Sequence, residues 1–151
     1  MKKKAGRNTL KSSPLLMAVE LSDVAAAVRA LDAGEAVDVL DLDGNTPLIR
    51  SAFLGQLALL RLMLDKGANV NAVNDIGWTA LHFAAQENRK DVAEMLLAAG
   101  AELEARDLNG NTPLSNAAFN QALDMVALLV DRGASLQTPN DHGVTPQELL
   151  D

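Results

Sequence analysis

Apolar residues recur at the three-to-four spacing of an amphipathic helix in several short segments of the chain. Leu57, Leu60 and Leu64 form one segment, which ends shortly before Gly67. A second segment, before another glycine, comprises Val92, Met95, Leu96 and Leu97. Glycine often follows a helix because it adopts the left-handed conformation without steric cost. The pattern therefore predicts short helices that end at glycine-containing turns.

These helices and turns repeat with a period of 33 residues. Two glycine series have this step, Gly44, Gly77, Gly110 and Gly143, and Gly34, Gly67, Gly100 and Gly133. The same step relates Thr46, Thr79, Thr112 and Thr145, Leu15, Leu48, Leu81 and Leu114, and Ala52, Ala85 and Ala118. A unit of two short helices buries its apolar face only against neighbouring units. The period therefore predicts a stack of similar helical units that share one core.

The start of each unit has a local physical explanation. Asp43 and Gly44 favour a tight turn, Thr46 can cap a helix, and Pro47 suits the first helical position, where no amide donor is needed. In the last unit, an acidic residue three places after Thr145 completes the pattern of a capping box. Each turn is therefore expected to be followed by a helix.

Composition narrows the fold and the chemistry. Aromatic residues are only 3% of the chain, which favours helices over a β-sandwich or barrel. The absence of cysteine excludes disulfides, thiolate metal sites and a cysteine nucleophile. Charged residues interrupt every leucine-rich segment well before the ~18 apolar residues of a membrane span. We expect a soluble, cytoplasmic protein. The basic start resembles a signal peptide, but its apolar run stops at Glu20 without a cleavage site.

Charge divides the chain into two parts. Residues 1–12 contain five basic and no acidic residues, so the net charge of −7 over the whole chain leaves −12 for residues 13–151. We expect 1–12 to be a flexible tail and 13–151 a single domain with units 13–40, 41–73, 74–106, 107–139 and a partial cap, 140–151. An acidic domain disfavours nucleic acid and favours basic partners, although the charge could serve solubility alone.

The segment from Thr79 to Ala85, Thr-Ala-Leu-His-Phe-Ala-Ala, resembles the Thr-Pro-Leu-His-x-Ala-Ala signature of the ankyrin repeat. The segment from Asp65 to Ala72 is similar to the linker of that family. The likeness extends over residues 13–151. It implies an all-α solenoid of about four and a half helix-turn-helix repeats with β-hairpin-like loops. It further implies binding of another protein through a concave surface of loop tips and first helices, without catalysis, cofactor or metal.

The family's contact positions can be transferred to this chain. The resulting candidate partner-binding residues are Leu42, Asp43, Asn45, Phe53 and Leu54, then Asp75, Ile76, Trp78, Gln86 and Glu87, and then Leu108, Asn109, Asn111, Phe119 and Asn120. Phe53 and Phe119 are two periods apart, on either side of Trp78. Aromatic residues ringed by polar groups are typical of interface hot spots. In the alternative interpretation, Trp78 folds over the adjacent loop and the phenylalanines pack on neighbouring helices.

Residues that could support catalysis are few. The resemblance gives His82 a structural role, a hydrogen bond to the loop, and His142 is expected on a distant loop tip. No zinc-ligand spacing, phosphate-binding glycine loop or nucleophile elbow is present. Acidic residues near the loops are expected to form a solvated ridge rather than a cation site; they are Asp41, Asp43, Asp75, Glu102, Glu104 and Asp107.

Several functions remain open at this stage. The first is a binding scaffold for another protein, with no nucleic-acid or membrane partner. A narrower hypothesis is an immunity protein that neutralises a basic toxin, such as a nuclease, because the segment from Gly110 to Ala117 resembles small bacterial ankyrin proteins of that kind. A secreted effector, an enzyme and a permanent structural subunit are further alternatives. We expect a monomer. The partial cap is expected to leave the Met125 and Leu129 face partly uncovered, and such a face would allow edge-to-edge association as an alternative.

Overall fold

The computed structural model describes residues 13–151, so the predicted tail, 1–12, lies outside the described residues. Each unit from 13–40 to 107–139 contains two helices, and 140–151 contains one. The helices are α1 (Pro14–Glu20), α2 (Val24–Asp32), α3 (Pro47–Leu54), α4 (Leu57–Asp65), α5 (Ala80–Gln86), α6 (Lys90–Ala98), α7 (Pro113–Phe119), α8 (Leu123–Asp131) and α9 (Pro146–Leu150). None of these helices is long and apolar enough to cross a membrane. The predicted all-α fold is confirmed.

The helices form two layers. The first helices of successive units, α1, α3, α5, α7 and α9, each contact the next one in the series. The second helices, α2, α4, α6 and α8, do the same. Within a unit the two helices also pack on each other, as α5 does on α6. The predicted stack of helical hairpins is therefore confirmed.

The loops between units are hairpin-like and are linked to one another. Each loop closes on itself through a backbone hydrogen bond, such as that from the Asn74 amide to the Trp78 carbonyl, 3.0 Å. Each tip also donates an amide to the preceding tip. These bonds run from Asp75 to Asp43 (3.0 Å), from Leu108 to Ile76 (3.2 Å) and from Asp141 to Asn109 (2.9 Å). The tips therefore form one continuous row along the stack.

The helix starts follow the predicted chemistry. Thr46 Oγ1 accepts a hydrogen bond from the Ile49 amide at 3.2 Å, and Pro47 is the first helical residue. In the last unit, Glu148 Oε2 accepts from the Thr145 amide at 2.7 Å and completes a capping box. These bonds use amide groups that have no partner inside the helix. They fix the point at which each loop turns into a first helix.

The core includes the leucines and alanines that recur with the period. The leucines at the repeated helix position are buried, and so are the alanines that let neighbouring helices approach, as predicted. They are Leu15, Leu48, Leu81, Leu114, Ala52, Ala85 and Ala118.

The prediction of a partly uncovered face at the C-terminal end is wrong. Met125 and Leu129 are fully buried, because α8 packs against α6 and α7. Leu149 and Leu150 add partly buried apolar surface to the same core. The large apolar side chains of α8 that are exposed are instead Leu123 and, to a lesser extent, Val130. The argument for edge-to-edge association through the Met125 and Leu129 face therefore loses its basis.

Three residues take a left-handed conformation between the helices of a unit, where the second unit has Gly55. Ser22, Asn88 and Gln121 have φ values of 54°, 53° and 55°. Glutamine adopts this conformation at some steric cost. Gln121 offsets part of it through its side chain, because Nε2 donates to the Leu149 carbonyl at 2.8 Å. The bond attaches α9 to the preceding unit.

Candidate functional site

The candidate contact residues lie on the loop tips and toward the ends of α3, α5 and α7. Four large apolar side chains among them are exposed, with exposed fractions of 64% for Leu42, 50% for Ile76, 70% for Leu108 and 73% for Phe119. The exposed polar candidates are Asp43, Asp75, Glu87, Asn109 and Asn120. The partly buried candidates are Phe53, Leu54, Trp78, Gln86 and Asn111.

Asn45 differs from the other candidates because it is only 5% exposed. Its Nδ2 donates to Asp41 Oδ2 at 3.0 Å, and its Oδ1 accepts from Asn74 Nδ2 at 3.0 Å. Both polar atoms of this side chain are thus used inside the protein, where they join one loop to the next. We therefore remove Asn45 from the candidate surface as a correction to the sequence-based set.

Trp78 folds over the adjacent loop, which is the alternative that the sequence left open. Its Nε1 donates to Asp107 Oδ2 at 2.9 Å. One period later, Asn111 and Asn140 form an amide pair at the same place, 2.9 Å. The tryptophan and the aspartate therefore replace an Asn–Asn bridge between loops. Trp78 helps hold the row of loop tips together, and only part of its ring is exposed.

An aromatic cluster that the sequence analysis missed lies beside Trp78. Phe83 on α5 contacts the Trp78 ring, with a centroid distance of 4.7 Å, and the Phe53 ring, at 5.6 Å, both edge to face. Phe119 is two periods from Phe53 but is largely exposed. The sequence did contain a signal for this cluster, because Phe83 directly follows His82 in the first helix of its unit.

A groove of about 340 Å³ lies at the C-terminal end of the candidate surface. Trp78 and Phe119 line it, together with residues of the last unit that the sequence analysis had not chosen. These are Asn140, His142, Val144 and Leu149, one period after Asp107, Asn109, Asn111 and Asn116. The 33-residue step could have identified His142 and Val144, the equivalents of the candidates Asn109 and Asn111, had it been extended into the partial cap.

A smaller pocket of about 180 Å³ lies at the other end, lined by Asp41, Leu42, Asp43 and Arg50. The guanidinium of Arg50 lies over the Phe53 ring, 5.7 Å from its centroid. Its Nε also donates to Glu20 Oε1 at 2.8 Å. The guanidinium of Arg50 therefore interacts with groups of its own chain. The carboxylate of Asp43 is exposed beside Leu42.

The expected acidic ridge is only partly solvated. Asp41 is buried, and its Oδ1 accepts from the amides of Asp43 (2.9 Å) and Asn45 (2.8 Å). Glu104 Oε1 similarly accepts from the Ser135 amide at 2.7 Å. These carboxylates accept hydrogen bonds from backbone amides in place of water, and the bonds help to shape the loops. Within residues 13–151, no group of three or more acidic or histidine side chains is arranged to hold a metal ion.

Comparison with known families agrees with this geometry. A model described as "Ankyrin repeats (3 copies)" matches residues 15–107, and a model described as "Ankyrin repeat" matches residues 109–141. The chain belongs to the ankyrin repeat family. Ankyrin repeats are generally protein-interaction modules rather than catalysts. A comparison with curated proteins finds no match for this ankyrin repeat protein.

His82 has a structural position in this ankyrin repeat protein, as the resemblance implied. Its Nδ1 accepts from the Thr79 amide at 3.1 Å, so Nε2 bears the proton and donates it to the Asn111 carbonyl at 3.0 Å. Burial lowers the pKa of His82, and the Asn111 hydrogen bond and the Asp107 charge oppose this shift. The neutral ring therefore links the start of α5 to the next loop.

We expect His82 to make stability depend on pH. The stability due to its neutral form is present above about pH 6.5, the ordinary pKa of histidine. It is lost as pH falls below that value, because the unfolded chain then takes up a proton that the folded chain does not. In urea unfolding, the loss of stability between pH 7.5 and 5.5 should shrink in His82→Gln. His142→Gln, the control, should keep the full loss, and equal losses in wild type and His82→Gln would contradict the assignment.

Proposed function

We propose that this protein binds a partner protein, without catalysis, through the row of loop tips and the adjoining ends of α3, α5 and α7. The observation that supports the proposal is the exposure of Leu42, Ile76, Leu108 and Phe119 on linked elements. Exposed apolar side chains with polar neighbours are typical of protein interfaces. We call the surface of these four residues the contact strip.

Backbone hydrogen bonds between the loops support the loop-tip part of the contact strip. Leu108 donates its amide to Ile76, and Asp75 donates to Asp43 beside Leu42. A surface whose loops are held in this way loses little conformational freedom when a partner binds. The exposed carboxylates of Asp43 and Glu87 border it, so basic groups at the edge of a partner would find opposite charge.

The proposal is tested with the contact strip and a matched exposed leucine elsewhere. The partner would be identified by affinity purification from native cells, and its Kd measured by calorimetry with purified protein. We expect Leu108→Ala and Phe119→Ala each to weaken binding by about tenfold or more, the effect of an interface hot spot. Trp78→Ala is less suitable, because it also breaks the bond to Asp107.

Leu123 on α8 provides the control, because it is 63% exposed but belongs to the second layer of helices. Leu123→Ala should bind as the wild type does. If Leu123→Ala weakens binding and the two strip variants do not, the partner uses the second layer and the proposal is wrong. Circular dichroism of each variant separates lost binding from lost folding.

A narrower form of the proposal makes the partner a basic toxin that this chain neutralises in the cytoplasm of a bacterial cell. It is favoured by the net charge of −12 on residues 13–151, because opposite charge accelerates association. In that case the association rate should fall steeply between low and physiological salt. Co-expression should also restore the growth of cells that express the toxin. A rate that is independent of salt would argue against a basic partner.

A further inference from the structure

Asn116, in the C-terminal groove, has a buried side-chain amide nitrogen without a hydrogen-bond partner. The residue is 7% exposed, and its Nδ2 makes no hydrogen bond. Asn116 nevertheless lines the groove beside Phe119 and Trp78. A buried polar atom without a partner destabilises a fold unless something else satisfies it. The unused donor therefore points to a ligand that brings an acceptor into the groove.

The equivalent positions in the preceding units show that Asn116 is unusual. One period earlier, Phe83 packs on the other aromatic rings, and two periods earlier Arg50 pairs with Glu20. Both side chains therefore have interaction partners within the protein. Ser51 Oγ and Gln56 Oε1 also lack partners, but neither residue lines this groove. Asn116 thus combines an unused buried donor with a place in the lining of the groove.

We propose that the groove holds an extended peptide segment of the partner, with a large apolar side chain beside Trp78 and Phe119. A backbone carbonyl of that segment accepts a hydrogen bond from Asn116 Nδ2. The inference rests on the proposed function and names the chemistry of its occupant. It also extends the contact strip into the last unit, where His142 and Leu149 form part of the wall.

The lining residues favour an extended peptide over other occupants. They come from three successive units, with Trp78 in the third, Asn116 in the fourth and Leu149 in the fifth. The groove therefore runs along the stack, as an extended chain would. None of its lining side chains is an acid or a base other than His142, although residues 13–151 are strongly acidic. An uncharged apolar segment fits this lining better than a basic one.

The experiment uses a phage-displayed library of random 12-residue peptides, selected on the full chain. Selected peptides are synthesised, and their Kd values are measured with the wild type, Asn116→Leu, Phe119→Ala and the control Leu123→Ala. Leucine is close to asparagine in size and has no polar atoms. Asn116→Leu should therefore unfold at the same or a higher urea concentration. We expect it to bind the peptides at least tenfold more weakly, whereas Leu123→Ala should bind them as the wild type does.

A second measurement keeps the wild-type chain. The side-chain NH₂ resonances of Asn116, assigned by their loss in Asn116→Leu, should shift when a selected peptide is added. The inference is overturned if Asn116→Leu is clearly destabilised, if it binds the peptides as tightly as the wild type, or if the selection yields no binding peptide. If Phe119→Ala weakens binding of the partner protein and Asn116→Leu does not, the proposed function stands and only this inference fails. If neither variant affects any binding, both fail.

Discussion

Replacing Leu81 with alanine is expected to lower the free energy of unfolding by about 2–5 kcal/mol, the range for a buried leucine that leaves a cavity. Leu81 is buried on α5, which packs against α3 on one side and α7 on the other. A cavity at this position therefore weakens two interfaces between units at once. In a stack stabilised by nearest-neighbour contacts, such a change should also make unfolding less cooperative.

Urea unfolding followed by two signals measures both effects of Leu81→Ala. Far-ultraviolet circular dichroism reports all helices, and fluorescence reports Trp78, the single tryptophan, which lies in the same unit. We expect the two transitions to coincide in the wild type and to separate in the variant. Leu123→Ala is the matched control and should change stability by less than about 0.5 kcal/mol, as surface substitutions usually do. A loss below about 1 kcal/mol in Leu81→Ala would show that the layer adapts without a cavity.

The repeated fold could be predicted because the units share the same local sequence features. Thr46 caps a helix and a glycine follows the second helix, and these features recur at one step along the chain. Proline occupies the first helical position in every unit except the third, which has Ala80 there. The positions of Leu81 and Ala85 in the core follow from the same period. Local rules and packing between units therefore point to one structure, which is why the sequence analysis was sufficient for the architecture.

The individual exposure of the aromatic residues could not be predicted from the period. Phe53 and Phe119 have equivalent positions, yet only Phe119 is largely exposed. Phe53 is covered in part by the Phe83 ring of the next unit, and the residue equivalent to Phe83 beyond Phe119 is the smaller Leu149. The difference depends on which side chain the neighbouring unit supplies, and a pattern within one unit does not contain that information.

The role of Trp78 could not be predicted from the sequence for a similar reason. Whether the indole faces a partner or the next loop depends on the distance between loops, which the period leaves undetermined. The acceptor at Asp107 decides the matter, because it is close enough for a bond of 2.9 Å. The unpartnered Nδ2 of Asn116 could not be predicted either, since its environment depends on the last unit. Bridges between units and buried polar atoms thus need the assembled structure.

Replacing Gly77 with alanine is expected to destabilise the row of loop tips more than the same change at Gly100. Both glycines have positive φ values, 79° and 93°, so alanine should cost about 1–2 kcal/mol at either position. A Cβ at Gly77 would lie 2.9 Å from the backbone nitrogen of Leu108, whereas a Cβ at Gly100 would have no atom within 4 Å. Overpacking against backbone adds about 1–3 kcal/mol.

The difference between the two variants isolates the contact between loops, because the conformational cost is common to both. The added Cβ would push the Leu108 amide away from the Ile76 carbonyl and should therefore displace Leu108 on the contact strip. Gly77→Ala should lower the urea midpoint more than Gly100→Ala and alter Trp78 fluorescence in the folded state. It should also weaken binding of the partner more than Gly100→Ala does. Equal midpoints and equal affinities would mean that the loops are not a single rigid row, and the contact strip would then have to form only when the partner binds.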